Sequence, residues 1–351
     1  MTPGPQSIEA LQATIVAHDR IVIRGAGTKS ARSGDPSFAT LELTGLNGIV
    51  EYSPDECVFT ALAGTPIADI ETTLGEHGQY LPFDPVLVRA GATLGGTVAC
   101  GLSGSCRHRY GGVRDFIIGM RVVDGEGRLI RSGGKVVKNA AGFLLHHAMV
   151  GSLGRFAVIA EVTCKVFPRP DARATLRVEC GSSEKAWEAV ARLQTARRDV
   201  EAVDFDTDGN LWVRIAGRAE SLAVRTEVLR NAVGGDVMTP ADEDRFWSEA
   251  GEFAWVAPEE SIVKAAGSGI RRLNAKASRV RYFCAGSSAW IAGADFAAID
   301  AAVTDAGLRA QVVRGTLASQ LLGYRTTAFE TRVHRVLDPH DRFHAASDSR
   351  H

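Results

Sequence analysis

Three blocks of glycine ahead of residue 155 constrain this chain more than any other feature. They are Arg24-Gly25-Ala26-Gly27-Thr28-Lys29, the pair Ala90-Gly91-Ala92-Thr93-Leu94-Gly95-Gly96-Thr97 and Gly101-Leu102-Ser103-Gly104, and Gly151-Ser152-Leu153-Gly154. The first two lie about 65 residues apart. Ordinary loops carry Asn, Asp and Ser as readily as Gly. Repeated Gly beside small neighbours (Ala90, Ala92, Ala99, Ser103, Ser105) is instead the pattern of backbone lying flat against a long ligand. The first block follows the short apolar strand Ile21-Val22-Ile23, so a phosphate loop is the natural first reading. A Rossmann loop needs a helix directly behind it, and Ser33-Gly34-Asp35-Pro36-Ser37 does not start one. The Walker pattern is absent from this place as well. Phosphate binding here therefore has to use backbone amides in some other fold.

The remaining pattern is mixed. Ile8, Leu11, Ile15 and Val16 recur at helical spacing behind Ser7. Thr65 and Pro66 read as the cap and first position of a helix carrying Ile67, Ile70 and Leu74 inward. Residues 117–123 and 128–131 flank the turn Asp124-Gly125-Glu126-Gly127 as a hairpin, 143–150 reads as a short helix, and 156–167 as a long β-rich run. Pro168-Arg169-Pro170 breaks the pattern and marks a domain boundary. Beyond it come helices over 184–197, 219–232 and 295–306. A hairpin spans 203–215, strands run over 279–284, 289–291 and 310–313, the middle is irregular, and a final helix spans 326–337. The expected organisation is residues 1–170, then an α+β cap over 171–325, then a helix and tail over 326–351 returning to the first domain.

Composition narrows function by exclusion. The 351 residues carry a formal net charge of −1, with 45% hydrophobic and 23% charged residues, as in ordinary globular domains. There is no basic excess for nucleic acid. The six cysteines are scattered without C-x-x-C spacing, so neither a zinc site nor an iron–sulfur cluster is spelled out. No apolar run approaches the roughly 18 residues of a membrane span, and residues 1–10 do not read as a secretion signal. The expectation is a reduced cytoplasmic protein, reaching the inner face of a membrane only through partners.

The ordered set of motifs resembles the vanillyl-alcohol-oxidase-type (PCMH-type) FAD-binding family, and within it the FAD-binding E subunits of bacterial glycolate oxidases. Its members are residues 24–29, Gly-Thr-Pro-x-x-x-x-Glu at 64–71, Leu-Pro-Phe-Asp-Pro at 81–85, 91–99, 101–104, Val-Arg-Asp-Phe-Ile-Ile-Gly at 113–119, Lys-Asn-x-Ala-Gly-Phe at 138–143 and 151–154. The resemblance covers about residues 18–170. It implies an α+β fold in which a two-lobed FAD-binding domain is followed by a smaller α+β cap. By match, Gly25, Ala26, Gly27, Thr28 and Lys29 would cradle the pyrophosphate. Pro82, Phe83, Asp84 and Pro85, with Gly91, Ala92, Thr93, Leu94, Gly95 and Gly96, would line the flavin. Gly101, Leu102, Ser103 and Gly104 would also face the cofactor, and Val158 would meet the adenine. Lys29 is either a phosphate counter-charge or a solvated turn lysine. Arg114 and Asp115 either form a structural salt bridge or touch the flavin. FAD is expected to be non-covalent: Thr28-Lys29 stands where relatives carry a tethering His, and Cys106 reads as a small residue.

The nine histidines leave a gap between His147 and His334, so the cap has none. A base for the substrate hydroxyl and metal ligands, which catalytic relatives commonly place there, are missing. No catalytic residue is assigned, and no metal is expected. The resemblance then implies an FAD subunit of a glycolate oxidase complex, with the catalytic FAD subunit and the iron–sulfur subunit as separate chains. A stand-alone alcohol or hydroxy-acid oxidoreductase, with Arg214, Arg271, Arg281, Tyr282 or Arg314 on its substrate side, and a degenerate scaffold are the alternatives. At the C-terminus Leu337-Asp338-Pro339 keeps the family pattern, whereas Phe343-His344-Ala345-Ala346-Ser347 departs from it.

Overall fold

A computed structural model describes residues 4–29, 38–134, 145–195, 199–274, 278–315 and 321–343. Helix α1 (Ile8–Val16) starts at Ser7, whose hydroxyl accepts from the Ala10 amide, and buries Ile8, Leu11 and Ile15. Strand β1 (Ile21–Arg24) runs parallel to β2 (Ala39–Glu42). Next come β3 (Ile49–Ser53), β4 (Val58–Leu62), α2 (Ile67–Gly75), β5 (Gln79–Tyr80), α3 (Leu94–Cys100) and α4 (Arg107–Tyr110). They are followed by β6 (Ile117–Val123), β7 (Leu129–Gly133), α5 (Leu145–Met149), β8 (Val158–Lys165) and β9 (Phe167–Pro168). The order β3-β4-β8-β6-β7 makes an antiparallel five-stranded sheet, and β5 pairs with β9.

Strand β8 holds this half together because both its faces are buried. Val158 and Ala160 pack with Leu11, Ile21 and Leu41 from α1, β1 and β2. Ala157, Ile159, Val162 and Cys164 pack on the other side with residues of α2 and α3. A register shift opposite Arg121 and Val122 carries the strand from one alternation to the next. A strand buried on both faces reads as a continuous apolar run, as 156–167 does.

The second half is built on β10 (Ala172–Glu179), α6 (Ser183–Thr195), β11 (Ala202–Asp206), β12 (Asn210–Gly217), α7 (Ala219–Val233) and β13 (Asp236–Val237). It continues through α8 (Pro240–Gly251), β14 (Ser261–Ala266), β15 (Arg279–Phe283), β16 (Ser288–Gly293), α9 (Phe296–Asp305), β17 (Arg309–Arg314), β18 (Leu321–Leu322) and α10 (Ala328–Leu337). Its strands form one nine-stranded sheet, in the order β13-β10-β12-β11-β15-β16-β14-β17-β18. Val190, Leu229, Ile299 and Val303 cover one face with helices α6, α7 and α9. The other face sends Ile262, Phe283, Trp290, Ala292 and Val313 into the core of the first half.

The chain then returns to the first half. Leu337 and Asp338 reach the β6–β7 turn, where the Gly125 amide donates to the Leu337 carbonyl, and Phe343 bridges to Ile21.

Two expectations need correcting. Thr65 is not the cap of α2: its hydroxyl donates to the Leu62 carbonyl at 2.7 Å and accepts from the Gly48 amide at 2.9 Å, so the helix begins at Ile67 behind Pro66. The irregular middle contains α8 and β14. Helix α8 starts at Thr239, whose hydroxyl accepts from the Asp242 amide, with Pro240 next. Its polar composition hides the apolar period that usually reveals a helix. The early part of the 143–150 helix and the 138–143 motif lie outside the described residues.

Candidate functional site

A cleft of about 280 Å³ opens where the first glycine block meets the start of α3. Gly25, Ala26, Gly27, Thr28 and Lys29 form one wall, and Thr93, Gly95, Gly96 and Cys100 another. Ala63, Leu153, Gly154, Ala157 and Ile159 close it. The glycines are dictated by contact. A Cβ on Gly25 would sit 2.5 Å from Thr93 Oγ1, and one on Gly95 2.7 Å from the Ala63 Cβ. Gly27 has φ +73° with the Arg24 guanidinium 2.7 Å from where its Cβ would be. Side chains at these positions would push the walls apart, so the cleft exists only with bare backbone on both sides. This cradle suits an elongated phosphate-bearing dinucleotide, whose pyrophosphate needs close amide approach.

Lys29 is not a solvated turn lysine. Its ammonium turns inward to donate to Thr97 Oγ1 at 3.4 Å, and burial pushes its pKa down. A positive group held in a desolvated cleft favours an anion beside it.

The other expected site residues form a second group behind the cleft. Pro82, Phe83 and Pro85 are buried, and Asp84 adopts φ +58°. A Cβ on Gly104 would meet Asp84 Oδ2 at 2.5 Å, so the 81–85 and 101–104 loops lie directly on one another. Ser103 Oγ accepts from the Val113 amide at 2.9 Å, and Leu102 is fully buried. Ala92 and Leu94 are core residues, and Gly91 and Gly101 take positive φ at turns. Asp115 accepts from the Gly112 amide at 2.8 Å, capping a short turn, and forms no ion pair with Arg114 among the described residues. Val158 faces away from the cleft into the α1 layer; its neighbours Ala157 and Ile159 take the cleft positions.

Charged groups buried where the cap meets the first half lock this second group in place. Glu201, 0% exposed, takes both Arg173 nitrogens at 2.9 and 3.1 Å, lies 2.8 Å from Arg214 Nε and accepts from the Tyr110 hydroxyl at 3.2 Å. Burial alone would raise its pKa, but Arg214 and Arg173 outweigh that and hold it below the usual carboxylate range. Arg214 also donates to the Cys106 sulfur and stacks on Trp247. Asp204 accepts from Ser105 Oγ at 2.7 Å and from Arg281, whose guanidinium lies 4.6 Å from the Phe246 ring centroid. From the cap side, Glu252 accepts from the Arg89 and Ala90 amides, fixing the turn ahead of α3. Cys106 therefore faces Arg214 rather than the cleft.

The arginines proposed for a substrate side are engaged elsewhere: Arg271 lies over Trp187, and Arg314 donates to the Ala257 and Glu260 carbonyls. Tyr282 stacks on Phe205. His334, Asp338 and Asp341 come together near α10, but Asp338 is occupied by the Arg342 and Phe343 amides.

Sequence reasoning missed Cys100. It follows Thr93 and Gly96 at helical spacing on α3, and that period was the available signal.

A profile of the FAD binding domain family matches residues 4–133. The chain is 37% identical to glycolate oxidase subunit GlcE of Escherichia coli (strain K12) over 70% of its own length and 67% of that protein's. It is 30% identical to glycolate oxidase subunit GlcD of Bacillus subtilis over 55% of its length, spanning 42% of that protein, and 27% identical to a D-2-hydroxyglutarate dehydrogenase of Xanthomonas citri pv. viticola, spanning 47% of it. It thus covers less than half of these two longer relatives. Among solved structures, alkyldihydroxyacetonephosphate synthase superposes with a TM-score of 0.70 at 13% identity, covering 96% of this chain and 74% of that one, a likeness of fold. With the bare-backbone cleft, these matches establish that the chain belongs to the family of FAD-binding flavoproteins that includes the GlcE subunit of glycolate oxidase.

Proposed function

We propose that this chain is the FAD-binding subunit of a glycolate oxidase, supporting oxidation of glycolate to glyoxylate and passing electrons to partner subunits. The glycine-walled cleft with its inward lysine carries the reading. Residues 1–170 act as the FAD-binding domain, 171–325 as the cap, and 326–351 as a strap back to the first domain. Backbone amides of Gly25, Ala26 and Gly27 would meet the pyrophosphate, Lys29 would offset its charge, and Ala157 and Ile159 would flank the adenine end. When bound, FAD supplies the electron-accepting ring. The protein's own groups bind it, orient it and exclude water from it.

The second group of expected residues, Pro82 to Pro85 and Gly101 to Gly104, acts by shaping that pocket from behind. Cofactor attachment would be non-covalent: Cys106 is directed at Arg214, and burial pushes up the pKa of the Cys100 thiol in the cleft wall, keeping it from the reactive thiolate form. The partners are a catalytic FAD subunit and an iron–sulfur subunit, and any membrane contact runs through them; among the described residues no helix is long and apolar enough to cross a membrane. The cap contributes no histidine, and its buried Glu201 and Asp204 are paired with Arg173, Arg214 and Arg281.

Tagged chain purified from its native host should bring down both partners and release all its flavin on denaturation. Mixed with glycolate, the isolated chain should keep its oxidised flavin spectrum. Rapid bleaching by glycolate would instead make it a catalyst in its own right.

A further inference from the structure

The turn at 151–155 closes the cleft where its two walls meet. Leu153 and Gly154 are among the lining residues. On the α3 side, the Gly151 amide donates to the Val98 carbonyl at 3.1 Å, and the Leu153 amide donates to the Ala99 carbonyl at 2.9 Å. On the other side, a Cβ on Gly154 would sit 3.1 Å from Ile23 Cδ1, so the turn lies against β1, the strand that leads into the 24–29 loop. Leu153 takes φ +56°, a left-handed conformation that a leucine keeps only where its surroundings hold it.

Arg155 ties this turn to the C-terminal helix. Its Nε donates to the Ser152 carbonyl at 3.0 Å, inside the turn, and its Nη2 donates to Glu330 Oε1 on α10 at 3.3 Å. The guanidinium carbon lies 5.3 Å from the ring centroids of both Phe156 and Tyr324. Glu330 is fixed in turn. Its Oε1 accepts from the Tyr324 hydroxyl, and its Oε2 accepts from the Thr327 amide and hydroxyl at 2.9 Å, closing a capping box at the start of α10. Side-chain exposures of 20% for Arg155 and 16% for Glu330 set this pair apart from freely solvated surface ion pairs, which contribute little. One guanidinium therefore grips the cleft turn and the returning helix at once, across 175 residues of chain.

We propose that α10 latches the cofactor cleft: Arg155, clamped by Glu330 and Tyr324, is a positioning residue that holds the 151–155 turn against both walls and so retains bound FAD. This rests on the FAD-binding reading and gives the return of the chain to the first half a function in cofactor retention. Arg155 acts through the turn, since Leu153 and Gly154 line the cleft and Arg155 does not.

The test uses the full chain loaded with FAD and diluted into buffer, with loss of cofactor followed as the rise of free-flavin fluorescence. Arg155→Met should speed FAD release on the order of tenfold, the size expected for losing hydrogen bonds made by a charged, part-buried group. Glu330→Gln should also speed release while keeping the capping box, which glutamine closes as well. It carries the expectation if Arg155→Met does not fold. The double variant should release FAD no faster than Arg155→Met alone, because both changes open one latch. A purely structural pair would lower the melting temperature and leave the release rate, measured well below melting, unmoved. Folded single variants that release FAD at the wild-type rate, or a double variant whose effect is the product of the two, would overturn the proposal. A wild-type chain that takes up no FAD would overturn the reading beneath it, and that failure is visible before any variant is made.

Discussion

Replacing Glu201 with Gln tests whether the cap's buried ion-pair cluster, which meets the FAD-binding half through Tyr110 and Cys106, stabilises the fold. The carboxylate is 0% exposed, with Arg214 at 7% and Arg173 at 26%. Removing one member of such a cluster leaves two guanidinium groups without their counter-charge, at a cost of about 3–5 kcal/mol. Gln keeps one acceptor oxygen for the Arg173 fork or the Tyr110 hydroxyl, so the expected loss sits at the lower end, about 3 kcal/mol. That is a large part of the roughly 5–15 kcal/mol that stabilises a typical domain. At roughly 2–4 °C per kcal/mol, melting should fall by about 6–12 °C. The loss should also be local. Arg214 pins the Cys106 sulfur, so freeing Arg214 should expose that thiol. Thermal melts measure the first effect, and maleimide labelling mapped by mass spectrometry measures the second. A Glu201→Gln chain that melts within about 2 °C of wild type, with Cys106 still protected, would refute the view that this cluster stabilises the cap and holds Cys106 of the first half.

Three further outcomes follow from the same geometry. Arg281→Met should strand the buried Asp204 carboxylate and destabilise by about 3–5 kcal/mol in urea melts, since Arg281 is its only cationic partner among the described residues. Gly95→Ala should cost about 1–3 kcal/mol and reduce FAD loading, because the new methyl meets Ala63 at 2.7 Å; unchanged flavin content after purification would count against the cradle. Glu71 gives a pH signature. Burial first, and then Asp84, raise its pKa from 4.5 to about 7. The folded state therefore holds an extra proton between those values, and stability should fall as pH rises through that window, by up to about 3 kcal/mol. Glu71→Gln should remove that slope and stabilise the chain at pH 8; equal stability of the two chains at pH 8 would sink the assignment.

Much of this was legible in the sequence, for reasons that differ by residue. The 24–29 and 93–96 blocks announced a cleft because Gly25 and Gly95 lie so close to Thr93 and Ala63 that any Cβ there would be crowded. The hairpin at 117–131 and the β8 run were readable because each strand's burial is written in its own residues. Helix α8 was not, because it is mostly polar and draws its order from what it packs against. Its Phe246 and Trp247 stack around Trp212 and Arg281, residues far away in the chain. Val158 was named by family match for the strand around it, and in the structure its neighbours Ala157 and Ile159 take the cleft positions while Val158 faces the α1 layer.

The expected site residues also divided in a way no motif could announce. Those in the 24–29 loop and at the start of α3 line the cleft, while those in the 81–85 and 101–104 loops brace it from behind. The bracing loops are in turn held by Glu201, Asp204, Arg214 and Arg281, all from the cap. Glu201 and Asp204 pair with Arg173, Arg214 and Arg281 inside the cap, and the cluster reaches the first half through Tyr110, Cys106 and Ser105. A cap arranged this way braces the loops behind the cofactor cleft, which fits the proposed role of a subunit that holds FAD.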